Sequence, residues 1–171
     1  MNNGGKIIAV AAIIGVIIAA AAKASGAVME PRGIKNNNPG NLRPLDSGTW
    51  QGQTGVDGGG YLEFTALTYG IRAAAINLFN YAARDGVNTL QEVANRWAPS
   101  GDNNDPVAYA QTLSSVSGFS VNQGIDLTDQ ATNAAVLAGI FRAENGERLS
   151  GIPWVSSADI AAGQAATGKW A

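Results

Sequence analysis

The residue best suited to acid–base chemistry is Glu144, which follows a long apolar stretch and precedes Asn145-Gly146. From Leu127 to Gly146, apolar residues recur at steps of three and four, which predicts one buried helix with Glu144 in its last turn. The negative end of the helix dipole and burial both disfavour a charged carboxylate there and raise its pKa. A carboxyl group with a raised pKa is suited to act as a general acid near neutral pH. Judged alone, Glu144 is more simply a solvated glutamate paired with Arg148.

Two further carboxylates belong to a small β-excursion predicted between Asp57 and Phe64. The glycines at 58–60 permit a sharp turn, and the period-two alternation that follows places Tyr61 and Glu63 on one side of a strand. Glu63 and Asp57 are therefore the candidates for a second carboxylate in a site. The simpler interpretation is that a glutamate at a strand edge is only solvated.

A third polar feature is the segment from Ile34 to Arg43, with the sequence IKNNNPGNLR. Asparagine, proline and glycine favour side-chain to backbone hydrogen bonds and a fixed turn, so an Asn-rich loop is the simplest interpretation. Asparagine amides both donate and accept hydrogen bonds, which also suits them to sugar hydroxyl and N-acetyl groups.

Composition restricts the chemistry open to this chain of 171 residues, of which 46% are hydrophobic. It predicts one modest globular domain. There is no histidine and no cysteine, which excludes Ser-His-Asp and Cys-His nucleophiles, thiol redox centres and the usual zinc sites. We therefore expect no metal and no cofactor. The formal net charge is -2 and no basic patch is visible, so nucleic acid is not an expected partner.

The N-terminus differs from the rest of the chain because residues 7–22 carry no polar side chain between Lys6 and Lys23. In a helix this segment would be about 24 Å long, slightly less than the hydrocarbon layer of a membrane. The segment predicts an N-terminal transmembrane helix, with residues 1–26 as anchor and linker and residues 27–171 as the globular domain. The alternative is a cleaved secretory signal ending near Ala22-Lys23-Ala24.

The remaining elements predict a mainly α (α+β) fold of five helices with the small β-excursion. Asp126 or Thr128 is expected to cap the Glu144 helix. Asp105, which is followed by Pro106, is expected to cap the helix that begins just after it, and Ser156 or Ser157 is expected to cap the last helix. Besides the Glu144 helix, the predicted helices cover residues 68–84, 89–98, 107–116 and 160–166.

Several short blocks occur in order along the globular part: GIKNNNPGNLR at 33–43, WQG at 50–52, Phe64 with YGIRA at 69–73, RWAP at 96–99, Tyr109, and ENG at 144–146. Together they resemble a family of phage and prophage virion proteins that is regarded as lysozyme-like and includes virion-associated peptidoglycan lytic transglycosylases. The resemblance covers about residues 33–166. The NNNPGNLR block is its specific part, whereas ENG alone is a weak signal.

A looser similarity points to the same fold. In lytic transglycosylases and glucosaminidases of the lysozyme superfamily, the catalytic glutamate ends an apolar helix, and Phe141 to Gly146 resembles that pattern. Those enzymes place this helix first, whereas here it comes last. The hypothesis that follows is a circularly permuted lysozyme-like fold in which the Glu144 carboxylate faces Asn36 to Asn41.

The resemblance implies that Glu144 is the general acid that cleaves the bond between N-acetylmuramic acid (MurNAc) and N-acetylglucosamine (GlcNAc), and afterwards the base. A transglycosylase needs no second carboxylate, whereas a hydrolase would use Glu63 or Asp57. The side chains that would bind acetamido groups or stack on sugar faces are Asn37, Asn38, Asn41, Tyr61, Trp97 and Tyr109, although core filling is the simpler role for the three aromatic residues.

The implied partners are peptidoglycan glycan strands, a membrane through residues 7–22, and other virion proteins. The implied location is a virion membrane or the host periplasm, with a secreted protein as the alternative. Two other functions stay open from the sequence. One is a cell-wall peptidase on the same scaffold, which the lack of histidine and cysteine disfavours. The other is a non-catalytic virion or membrane protein that binds glycan.

Overall fold

The computed structural model describes residues 29–170 of the chain. These residues contain six α-helices and one two-stranded antiparallel sheet, joined by loops. A single 3-10 turn, Ser100–Asp102, lies between the third and fourth helices. In chain order the elements are α1 Arg32–Lys35, β1 Gln53–Val56, β2 Leu62–Phe64, α2 Leu67–Asp85, α3 Leu90–Trp97, α4 Pro106–Ser117, α5 Gln130–Asn145 and α6 Ser157–Ala165. The five helices predicted from the sequence are found with their ends shifted by a few residues.

Helices α2 and α5 provide the centre of the hydrophobic core. α4 packs along α5, and α6 packs against both α2 and α5. Gly139 of α5 permits the close approach of α4, because a Cβ atom there would lie 3.0 Å from the Cα atom of Leu113. The buried face of α5 is centred on Val136, Leu137 and Ile140, whereas Ala131 is exposed although it belongs to the apolar pattern of the helix. The larger side chains occupy the core because they bury more apolar area than alanine.

The start of α5 corrects the predicted cap. Asp129 precedes the helix, and its side chain accepts a hydrogen bond from the backbone N–H of Thr132 at 2.8 Å. Asp126 instead accepts from the backbone N–H of Thr128 at 2.9 Å and closes a local turn before the helix. Two other predicted caps are confirmed. Asp105 caps α4 and Ser156 caps α6.

The sheet is as short as the sequence indicated. Glu63 pairs with Gly55 across the two strands, and a register irregularity lies between Gln53 and Gly55. Leu62 and Phe64 are buried while Glu63 stays partly exposed, which confirms the predicted alternation.

The predicted fold class is corrected to a mainly helical fold with one two-stranded sheet. Between residues 29 and 170, no helix combines the length and the apolar character that crossing a membrane requires. The predicted transmembrane segment at 7–22, its signal-peptide alternative and the domain boundary after residue 26 all lie outside the described residues.

We expect Gly70→Ala to destabilise the protein, although a helix interior is normally about 1 kcal/mol more stable with alanine than with glycine. In α2 a Cβ atom at Gly70 would lie 1.9 Å from the carbonyl oxygen of Asn37, so the Asn-rich loop would have to move away from the helix. The expected loss in free energy of unfolding is about 3 kcal/mol, measured by urea denaturation. Gly124→Ala is the control, because nothing lies within 4 Å of a Cβ atom there. A Gly70→Ala protein as stable as the parent would show that the loop does not pack on α2 in this way.

Candidate functional site

The Asn-rich loop is held in shape by its own side chains. Asn37 and Asn41 have positive φ angles of 53° and 48°, a conformation that asparagine tolerates better than most residues. Asn38 is 0% exposed, and its amide nitrogen donates to the carbonyl oxygens of Leu42 and Leu62 at 2.9 Å. Its amide oxygen accepts from the backbone N–H of Leu42 at 2.9 Å. The loop is therefore a fixed structure rather than a flexible connection.

Asn145 attaches this loop to the end of α5. Its buried amide nitrogen donates to the carbonyl oxygen of Pro39 at 2.7 Å and to that of Phe141 at 2.9 Å. Gly33 of α1 packs against the same side chain, since a Cβ atom there would lie 2.3 Å from the Asn145 amide oxygen. The neighbouring residue, Glu144, is thereby directed at the loop.

Both carboxylate oxygens of Glu144 accept hydrogen bonds from neutral groups. Asn41 Nδ2 donates to Glu144 Oε2 at 2.8 Å, and the Tyr109 hydroxyl donates to Glu144 Oε1 at 2.8 Å. The prediction that the Glu144 carboxylate faces the Asn-rich loop is confirmed. The predicted pairing with Arg148 is not found among the described residues, where the Arg148 guanidinium lies over the Trp154 ring at 5.0 Å instead.

Burial raises the pKa of Glu144, and this is the largest influence on the group. The hydrogen bonds from Asn41 and Tyr109, and the positive charge of Arg32, favour the carboxylate and limit the rise. Burial also raises the pKa of Tyr109 well above its usual value, and the nearby Glu144 charge adds to this effect. Tyr109 therefore stays protonated and keeps donating to Glu144 at neutral pH.

The amide oxygen of Asn41 is buried and has no hydrogen-bond donor among residues 29–170. A half-turn of the amide exchanges its oxygen and nitrogen, so the side chain is chemically able to donate to a carboxylate or to accept from a carboxylic acid. Asn41 thus suits both protonation states of Glu144.

Glu144 opens onto a cleft of about 330 Å³ between the Asn-rich loop and α3. Trp97 forms part of its wall and is fixed by a 3.0 Å hydrogen bond from its ring N–H to the carbonyl oxygen of Gly40. Tyr81 packs edge-to-face on Trp97, with ring centroids 6.1 Å apart. The cleft is therefore walled by aromatic side chains, and of its two carboxyl groups Glu144 is the one held by two donors while Asp102 is exposed.

The structure brings together four of the residues predicted for a site. Asn41, Tyr61 and Trp97 line the cleft with Glu144. Tyr109 contacts Glu144 but does not line the cleft, so its position fits a residue that holds the carboxylate rather than one that stacks on a sugar.

Four other predicted candidates lie away from the cleft. Asn37 donates to the carbonyl oxygen of Phe64 at 3.0 Å, and the polar atoms of Asn38 are all used inside the loop. Glu63 lies on β2 and does not line the cleft. Asp57 closes the turn between the strands by accepting from the N–H groups of Gly59 and Tyr61, and these bonds with that from Asn36 lower its pKa.

Seven polar or aromatic cleft residues were not predicted from the sequence: Arg43, Trp50, Asn77, Tyr81, Arg96, Asp102 and Asn104. Three of them, Arg43, Trp50 and Arg96, belong to sequence blocks that were already singled out. Membership of those blocks was therefore a signal that could have placed them in the site. Tyr81 and Asp102 carried no such signal, because a tyrosine on an amphipathic helix and an exposed aspartate in a turn are common everywhere.

Comparison with known proteins adds one relative. No family model matches the chain, so the lysozyme-like assignment gains no support from family models. Over 137 residues the chain is 34% identical to "Protein P5" of Pseudoalteromonas phage PM2, a match that covers 74% of this chain and 83% of the phage protein. The phage part of the predicted resemblance is therefore confirmed.

We expect Glu144→Gln to stabilise the protein in a pH-dependent way. Because the pKa of Glu144 is raised in the folded state, burial of its charge costs stability above that pKa and costs nothing below the unfolded value of 4.5. The melting temperature of Glu144→Gln should exceed that of the parent by about 3 °C at pH 8, a shift that corresponds to roughly 1 kcal/mol in a domain of this size. The difference should vanish by pH 4. The exposed Glu30→Gln is the charge-matched control, and an equal gain in that variant would show that Glu144 is not a strained buried acid.

Proposed function

The chain belongs to the family of protein P5 of Pseudoalteromonas phage PM2, and from that premise we propose that it is a virion-associated enzyme that degrades peptidoglycan. The bond cleaved is the glycosidic bond between MurNAc and GlcNAc. The observation that carries the proposal is the half-buried Glu144, held by Asn41 and Tyr109 where it meets an aromatic-walled cleft. Other virion proteins are its candidate partners in the particle.

Protonated Glu144 supplies the proton that the leaving glycosidic oxygen needs. Its raised pKa keeps a larger fraction of the group protonated near neutral pH than an exposed glutamate would have. As the glycosidic bond breaks, the proton passes to the oxygen of the leaving sugar and Glu144 becomes a carboxylate. Hydrogen bonds from Asn41 and Tyr109 stabilise that carboxylate, so both ends of the proton transfer are supported.

A lytic transglycosylase accounts for the cleft better than a hydrolase does. In a transglycosylase the C6 hydroxyl of the muramyl sugar attacks C1, Glu144 takes the hydroxyl proton, and a 1,6-anhydro ring forms. This route needs no second carboxylate. Neither Glu63 nor Asp57 lines the cleft, and Asp102, which does, is an exposed residue of the 3-10 turn.

The walls of the cleft suit a sugar chain. Trp50, Tyr81 and Trp97 offer aromatic surface, on which the apolar faces of pyranose rings can stack. Asn77 and Asn104 add amides that can donate to and accept from hydroxyl and acetamido groups.

We expect the full chain to release 1,6-anhydromuropeptides from purified peptidoglycan. The Glu144→Gln substitution should lower the rate of release at least 100-fold. A positioned acid contributes about 10²- to 10⁴-fold, and glutamine cannot donate the proton. The measurement is mass spectrometry of the soluble products over time. Glu30→Gln, exposed and outside the cleft, is the matched control and should retain the parent rate.

The other outcomes are equally informative. Products with reducing ends would mean a hydrolase, and Asp102→Asn would then test the remaining carboxylate of the cleft. Equal release by the parent and Glu144→Gln would remove Glu144 from the chemistry. Binding of peptidoglycan without any product at pH 4 to 9 would mean a glycan-binding protein rather than an enzyme.

A further inference from the structure

Two arginine side chains lie on the ring of one tyrosine. The guanidinium carbon of Arg32 is 4.2 Å from the centroid of the Tyr61 ring, and that of Arg43 is 4.4 Å from the same centroid. Both distances are within the range of cation–π attraction, which partly offsets the repulsion between the two cations. We call Arg32, Tyr61 and Arg43 the arginine–tyrosine stack.

Neither arginine of the stack has a carboxylate within ion-pair distance among the described residues. The ion pairs found there join Arg96 to Asp85 and Arg142 to Glu147. The nearby carboxylate of Asp57 is already used by backbone N–H groups and by the Asn36 amide. The positive charge of Arg32 acts on Asp57 at a distance, but among residues 29–170 neither arginine of the stack forms an ion pair, on a protein whose formal net charge is -2.

Within the part of the chain that the structure describes, the guanidinium donors are also largely unused. Arg43 donates to the Tyr61 hydroxyl at 3.2 Å and reaches the carbonyl oxygen of Gly59 only at 3.5 Å. Both arginines are exposed. Each guanidinium offers five N–H donors in a planar fork that matches the two oxygens of a carboxylate, so the stack can bind such a group in the geometry it prefers.

The turn beneath the stack leaves room for it. A Cβ atom at Gly59 would lie 3.2 Å from Arg32 Nη1, and a Cβ atom at Gly60 would lie 3.1 Å from Arg43 Nη1. Side chains at these positions would crowd the guanidinium groups. The glycines of the turn thus permit the arginines to lie against the Tyr61 ring.

The stack is continuous with the Glu144 cleft. Tyr61 and Arg43 both line the cleft, and the charge of Arg32 is close enough to Glu144 to lower its pKa. One substrate molecule in this cleft can therefore place a sugar beside Glu144 and an anionic group at the stack.

We propose that the arginine–tyrosine stack binds a carboxylate of the peptide stems that branch from the glycan strand. The inference rests on the proposed function, because it assumes that the cleft takes peptidoglycan. In this polymer the sugar backbone is neutral where a stem is attached, and the negative charges belong to the stems. The stack gives the site a preference for strands that still carry their peptides.

The test measures binding separately from cleavage. Fluorescent glycan oligomers of one length are prepared in three forms: with intact stems, with the stem carboxylates converted to amides, and with the stems removed by an amidase, which leaves only the lactyl carboxylate. Their dissociation constants are measured by fluorescence anisotropy with the full chain carrying Glu144→Gln, so that no substrate is consumed.

We expect the amidated and stem-free oligomers to bind about tenfold more weakly than the intact one, the size expected when two solvent-accessible ion pairs are lost. Adding Arg32→Gln and Arg43→Gln together should weaken binding of the intact oligomer by a similar factor and remove the difference between the three forms. Arg43→Lys keeps the charge without the planar fork, so its dissociation constant for the intact oligomer should lie between those of the chain with both arginines and the double arginine variant. Arg84→Gln, an exposed arginine outside the cleft, is the control and should bind like the parent.

Three results would overturn the inference. The first is equal binding of the intact and amidated oligomers by the Glu144→Gln chain. The second is undiminished binding of the intact oligomer when both arginine substitutions are added. The third is full binding of the stem-free oligomer, which would assign the lactyl group as the source of the carboxylate. Failure of the proposed function is distinguishable, because a chain that discriminates the three forms but releases no products has a carboxylate site without lytic activity.

Discussion

The hydrogen bonds of the buried Asn145 amide determine where the Glu144 carboxylate lies in this protein. By donating to Pro39 and to Phe141, Asn145 fastens the last turn of α5 to the Asn-rich loop. Glu144, one residue earlier, is thereby held beside the loop, and its two oxygens accept hydrogen bonds from Asn41 and Tyr109. Without this attachment a glutamate at a helix end would be an ordinary surface charge.

The asparagines of the loop divide into two groups. The amides of Asn37 and Asn38 donate hydrogen bonds to backbone carbonyl oxygens, while the amide of Asn41 donates to Glu144. Burial explains the role of Asn38, because an amide sealed from water must be satisfied internally or it costs stability. The asparagines that build the loop therefore cannot also bind a ligand, and the residue at the rim of the cleft is the one with a part in the site.

The sequence predicted the helices well because their apolar periods and their capping residues are local signals. The resemblance, rather than the helix pattern alone, singled out Glu144, and its carboxylate meets the Asn-rich loop as expected. The sequence failed with Glu63 and Asp57, because side-chain alternation predicts which side of a strand a residue occupies but not what packs against that side. Asp57 could not have been recognised as a turn-closing residue without knowing that the N–H groups of Gly59 and Tyr61 point at it. Cleft residues such as Tyr81 and Asp102 depend on how α2 and the 3-10 turn are placed in space, which no local pattern encodes.

The contacts of Glu144 and Asn145 span long distances along the chain. Asn41 and Glu144 are separated by 103 positions, and Pro39 and Asn145 by 106. Contacts of this range form late in folding, because the intervening chain must first be ordered. A nascent or truncated chain that lacks α5 has the Asn-rich loop but no acid opposite it. The arrangement therefore makes the geometry around Glu144 a property of the folded domain that includes α5, and no shorter N-terminal part of the chain contains it.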